Sequence, residues 1–209
     1  MIYIPAHFEE RDVGEMHRLM ERAPFATLLS SIDGDIQVTH LPLLVDSAAA
    51  PNGVLTGHMA RANSHWKCLH QGLHLAIFHG PHRYISPVWY LEHPSVPTWN
   101  YAVVHAIGAC RLIEDAASVL RLTAEVTQRF EKENGTDWRL PEDPAYLSKM
   151  ASHIVGFELI ISELKGKFKL SQNRMPKDRR NVIAALEEAG SDWDRDLANL
   201  MMPRAGSGA

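Results

Sequence analysis

The chain has 209 residues, with 21 Lys and Arg against 25 Asp and Glu, for a formal charge of −4 with histidines neutral. That length suffices for one large domain with a real core, and 45% hydrophobic with 22% charged residues argues against wholesale disorder. No run approaches the ~18 apolar residues of a membrane span, and the N-terminus lacks the basic and apolar regions of a signal peptide.

The two cysteines, Cys68 and Cys110, can form neither a disulfide scaffold nor a four-thiolate zinc site. A cytoplasmic protein is expected. The 12 histidines stand out, because imidazole serves as metal ligand, proton shuttle and anion contact. Their spacing does not favour a metal: His70 and His74 are four apart, but Gln71-Gly72 between them marks a helix end. No metal site is therefore assigned.

In chain order, Asp12-Val13-Gly14-Glu15 has the form of a capping box that opens a short helix with Met16, Leu19 and Met20 inward, stopped by Pro24. Residues 25–32 read as a strand, Asp33-Gly34 as a hairpin turn, and residues 36–45 as the return strand with Pro42 at an edge or bulge. A small-residue loop at 47–52 precedes strands at 53–59 and 73–79, with a short helix between them. Gly80-Pro81 is expected to break the chain ahead of a long proline-rich loop over 86–97. A strand over 102–113, with a bulge at Gly108, leads to helices over 116–130 and 142–150. Val155, Phe157, Leu159 and Ile161 alternate along the clearest strand, 154–164, and a final helix over 178–188 ends at Gly190. The expectation is a mainly β, α+β fold: one β-barrel domain over 1–200 with inserted and C-terminal helices, and a disordered tail at 203–209. No Gly-x-Gly-x-x-Gly and no Walker lysine loop is present, which argues against dinucleotide and P-loop folds.

Three segments carry chemistry. Around Thr56 to Asn63 a strand gives way to a helix start, where free backbone N–H groups beside His58, Arg61 and Asn63 suit a phosphate; the alternative is a solvated connection that happens to contain an Arg. Trp89, Tyr90, Trp99 and Tyr101, stiffened by prolines, form an aromatic wall for a planar ring, or pack the loop onto the barrel. Lys167, Lys169, Ser171 and Asn173 would share one face of an extended segment, facing a cofactor phosphate, nucleic acid or solvent. They belong to a basic strip, 165–180, with seven bases and one acid, so this stretch carries +6 and the remainder −10.

At these segments the sequence resembles the PaiB family, FMN-binding proteins described as negative transcriptional regulators. The marks are Tyr3-Ile4-Pro5-Ala6-His7-Phe8, Thr39-His40-Leu41-Pro42, Gly57-His58-Met59-Ala60-Arg61-Ala62-Asn63, Tyr84 to Tyr90, Val96 to Tyr101 and Lys167 to Arg174. The resemblance implies the FMN-binding split β-barrel of pyridoxamine-phosphate oxidases, with FMN in a cleft at a homodimer interface. By analogy Thr39, His40 and Leu41 would lie beside the flavin ring, and Thr56, His58, Arg61 and Asn63 would approach the phosphate. Ser86 and Trp99 would join the site, together with Lys167, Lys169, Ser171 and Gln172, the last three from the partner subunit.

The resemblance leaves three functions to weigh: a regulator, a flavin-dependent oxidoreductase of the same superfamily, and a split barrel that holds haem instead. No catalytic residue is assigned, although His105 and Tyr101 are candidate proton donors. The pI of about 6.3 and the lack of a helix-turn-helix argue against direct DNA binding. In its favour stand Arg174, Lys177, Arg179 and Arg180, which a dimer would present twice. A homodimer is expected because the apolar face of residues 155–161 would need a cover.

Overall fold

The computed structural model describes residues 2–202, so the tail at 203–209 lies outside the described residues. The chain folds into two compact units. One comprises the stretch up to Met16, His79–Val104 and the stretch from Lys165 onward; the other comprises His17–Phe78 and His105–Leu164.

The elements in order are β1 (Glu9–Glu10), α1 (Val13–Arg22), β2 (Phe25–Ile32), β3 (Asp35–Pro42), β4 (Leu44–Asp46) and β5 (Val54–Ala60). They continue with β6 (His74–Ile85), β7 (Thr98–Ile113), α2 (Ala116–Glu133), α3 (Pro144–Ser152), β8 (Ile154–Lys169), α4 (Pro176–Ala189) and α5 (Asp192–Met201). The strand order is β3-β2-β6-β7-β8-β5-β4, with β1 paired to β8, and the pairs β1–β8, β2–β3, β2–β6, β4–β5 and β5–β8 are antiparallel. Three long strands, β6, β7 and β8, contribute residues to both units.

Local signals account for much of this. Asp12 Oδ1 accepts from the backbone N–H of Gly14 and Glu15 at 2.8 and 3.2 Å, satisfying free donors at the start of α1. Asp33 and Gly34 take φ of 51° and 90°, the left-handed pair that a tight hairpin between β2 and β3 requires. In β8, Val155, Phe157 and Leu159 are fully buried and Ile161 nearly so. That apolar face is therefore core within its own unit, together with Leu28, Leu43, Leu55, Ala76 and Phe78, and does not await a second subunit.

Three expectations change. The return strand over 36–45 divides at Leu43: β3 pairs with β2, whereas β4 pairs with β5. Gly80-Pro81 does not break the chain, because β6 runs through to Ile85. The register of β6 with β2 ends at Ile77, so beyond that point this edge owes no N–H to β2 and a proline is tolerated. The helix ending at Gly190, whose φ is 74°, is not the last. Ser191 caps α5 through the Asp194 N–H at 3.1 Å, and Leu197, Ala198 and Met201 bury its inner face.

Candidate functional site

In the unit containing β2 to β5, a buried polar chain lies on the inner face of the sheet. Ser30 in β2 and His74 in β6 are register partners, and Ser30 Oγ is 2.6 Å from His74 Nδ1. The same hydroxyl is 2.7 Å from His65 Nε2, which reaches it from the short 3-10 helix Ser64–Cys68. His65 Nδ1 meets Thr39 Oγ1 at 2.8 Å, and Asn63 Nδ2 donates to that hydroxyl at 2.9 Å. Asn63 Oδ1 in turn accepts from the His65 backbone N–H at 3.1 Å, capping the 3-10 helix.

Ser30, His65 and His74 are almost fully buried, whereas Thr39 and Asn63 are half-buried at the outer end. Burial pushes both imidazoles below their ordinary pKa. The neighbouring His74 adds to the effect at His65, while the Leu69 carbonyl, 3.0 Å from His74 Nε2, pulls His74 partly back.

The remaining residues expected in this unit divide between faces. Leu41 is buried core, and His40 points to the exposed face, 3.1 Å from Thr27 Oγ1. Thr56 and His58 occupy the half-exposed face of β5, opposite buried Leu55 and Met59, and burial lowers the His58 pKa. Arg61 donates through Nε and Nη2 to the carbonyls of Ser152 and Ile154 at 3.1 and 3.2 Å, and its guanidinium lies 5.6 Å from the Trp66 ring. It thus clamps the junction of α3 and β8, with part of its fork spent on the chain itself. Asn63 does mark a helix start, but its side chain turns back to Thr39 and His65.

In the other unit, Lys167 and Lys169 share the half-exposed face of β8. Lys167 Nζ donates to the Tyr3 carbonyl at 3.0 Å and lies 5.3 and 5.6 Å from the Tyr3 and Tyr101 rings. Lys169 Nζ donates to Thr98 Oγ1 and sits 5.8 Å from the Phe8 ring. The extended segment stops at Lys169, because Ser171 adopts a φ of 60° and leaves the strand. Buried Ser171 exchanges hydrogen bonds with fully buried Asn100, and Gln172 accepts from the Leu170 N–H and donates to the Phe168 carbonyl. Ser86 caps the short 3-10 helix Pro87–Trp89, and Trp99 stays half-exposed beside His82 and Tyr84, at ring separations of 6.3 and 6.1 Å.

Arg174 stacks over the Tyr90 ring at 4.3 Å and Arg179 donates to the Met201 carbonyl at 2.8 Å, leaving Lys177 and Arg180 exposed on α4. Ser30 and His74 are not foreseeable from the sequence. The pairing of β2 with β6, which no local pattern announces, is what makes them neighbours.

Residues 2–163 match a family model described as "Putative FMN-binding domain". The chain is 32% identical over 203 residues to protease synthase and sporulation protein PAI 2 of Bacillus subtilis, covering 96% of each. The chain belongs to this FMN-binding family. A protein of Emericella nidulans is 30% identical, with 97% of each chain covered. Among solved structures, the flavocytochrome Anf3 from Azotobacter vinelandii superposes with a TM-score of 0.60 at 15% identity, over 79% of this chain and 72% of the other. The FAD and heme binding protein from Mycobacterium smegmatis gives 0.58 at 12%, over 88% and 80%. The expected fold, an α+β split β-barrel of the flavoprotein type, is borne out, and FMN is the cofactor.

Each unit holds groups that suit such a cofactor. In one, Thr39 and Asn63 offer half-exposed hydrogen-bonding atoms; in the other, two lysines beside aromatic rings offer positive charge for a phosphate.

Proposed function

We propose that the protein is a homodimeric, PaiB-like negative transcriptional regulator that holds FMN at its subunit interface. The observation carrying this reading is the 32% identity to PAI 2 along 96% of both chains. In this reading Thr39 and Asn63 lie beside the flavin ring, and Thr56, His58 and Arg61 stand towards its phosphate. Ser86, Trp99 and Lys167 join the site, and Lys169, Ser171 and Gln172 come to it from the second subunit of the dimer. FMN supplies redox chemistry and a visible absorption band, while the chain binds, orients and shields it.

Support for a dimer comes from the outer face of β3, β2 and β6. Ile36, Val38 and Phe25 are 69, 50 and 66% exposed there, side by side with half-buried Leu29, Leu75 and Ile77. An exposed, largely apolar sheet face of this kind, crossed by the Thr27–His40 pair, favours self-association. Of Arg174, Lys177, Arg179 and Arg180, Lys177 and Arg180 are exposed and available to a DNA phosphate.

The test is direct. Purified protein should show flavin absorption or take up FMN saturably at micromolar concentration, scatter light as a dimer, and change transcript levels when its gene is deleted. A Soret band would favour the haem reading. Flavin turnover of a reductant without any transcript change would favour the oxidoreductase.

A further inference from the structure

The polar chain from Asn63 to Leu69 has a direction that its two ends impose. At one end the Asn63 amide is oriented by the His65 backbone N–H, which can only donate and so faces Oδ1. Nδ2 therefore donates to Thr39 Oγ1, which leaves that hydroxyl its own proton to give to His65 Nδ1. With His65 neutral, its own proton sits on Nε2 and is given to Ser30 Oγ, whose proton passes to His74 Nδ1. His74 then carries its proton on Nε2, facing the Leu69 carbonyl, which can only accept. Working back from Leu69 gives the same assignment. Every link is satisfied once, in one sense, with both rings neutral.

We propose that Ser30, His65 and His74 are positioning residues for the flavin ring, acting through Thr39. Because the Thr39 proton is committed to His65, Thr39 Oγ1 can offer a ligand only a lone pair. Beside it, Asn63 Nδ2 keeps one N–H to give. An acceptor next to a donor is complementary to an imide edge, where an N–H is flanked by carbonyl oxygens, and the pyrimidine end of the flavin ring is such an edge. A ligand with a bare hydrocarbon or an all-acceptor edge at this point would face a lone pair with nothing to give it. This assignment rests on FMN binding as proposed above and adds which groups read the ring.

The apo-protein tests the relay without the cofactor. Nitrogen-15 NMR of the imidazoles near pH 7.5 should find both His65 and His74 neutral with the proton on Nε2; an Nδ1–H form of either ring would overturn the proposal. In cofactor titrations, Ser30→Ala and Thr39→Val should weaken FMN and riboflavin by the same factor, about tenfold for the loss of one ~1.4 kcal/mol contact. Thr39→Ser should restore binding. If Ser30→Ala does not fold, the Thr39 pair and the NMR assignment still decide. Unchanged flavin affinity in Thr39→Val would sink the positioning role while FMN binding stands. Failure of the parent protein to bind either flavin would sink the functional reading instead.

Discussion

Gly108 in β7 passes so close to Ile160 in β8 that a Cβ built on it would lie 2.0 Å from the Ile160 carbonyl oxygen. The obstacle is backbone, not the end of a flexible side chain, so the strands themselves must part to admit a methyl group. Gly108→Ala is expected to lower unfolding free energy by roughly 1–3 kcal/mol, as overpacked cores do. Urea melts of variant and parent would show the shift in midpoint, and identical midpoints would contradict this close approach.

In the proposed site Lys167 and Lys169 face the phosphate. Changing both to Ala should weaken FMN by about tenfold or more, the scale of one charge-assisted hydrogen bond of roughly 1.5–3 kcal/mol. Riboflavin, which lacks the phosphate, should bind variant and parent about equally. Equal FMN affinity in the double variant would remove these lysines from the site. This signature differs from that of Ser30→Ala, where both flavins weaken together.

His58, His65 and His74 all have pKa values lowered by burial in the folded chain. The unfolded chain then binds more protons between those lowered values and the ordinary imidazole value of about 6.5. Their neutral forms therefore cost nothing above about pH 6.5, and stability is lost as the pH falls through the lowered folded values. Denaturant midpoints should be flat from about pH 8 to 7 and fall by about pH 5. A stability rising towards that acid end would be the contrary result.

Burial, with Cys68 nearby, pushes the Cys110 thiol up to about 12. Only the thiolate reacts rapidly, so maleimide at about pH 8 should label Cys110 far more slowly in native protein than in urea. Comparable rates in the two conditions would show that the site opens readily.

Val38 lies exposed on the apolar sheet face, in the edge strand β3 opposite Leu29. Val38→Lys adds a charge there without touching the core, so a dimer built on this face should dissociate to the 23.4 kDa monomer with little change in monomer stability. Light scattering across a dilution series would report it, and an unaltered dimer would place the interface elsewhere.

Features decided within a few residues were legible in the sequence. The Asp12 cap, the Asp33-Gly34 turn, the Gly190 stop and the β8 alternation depend on local hydrogen bonds, on φ and on a two-residue period, all written in neighbouring letters. The cap of α5 is of the same kind, a Ser191-to-Asp194 signal that the expected end at Gly190 passed over. Tertiary structure alone decided the division at Leu43, the course of β6 through Pro81, and the meeting of Ser30 with residues 35 and 44 positions away. Each of these depends on which strand lies alongside which. A proline is tolerated only where no partner needs its N–H, and two polar side chains meet only when register aligns them. Thr39 and Asn63 could be named from the chain, but their donor and acceptor roles could not. Those roles are fixed by a hydrogen-bonded sequence whose ends, the His65 N–H and the Leu69 carbonyl, are joined through Thr39 and Ser30 only in the folded protein.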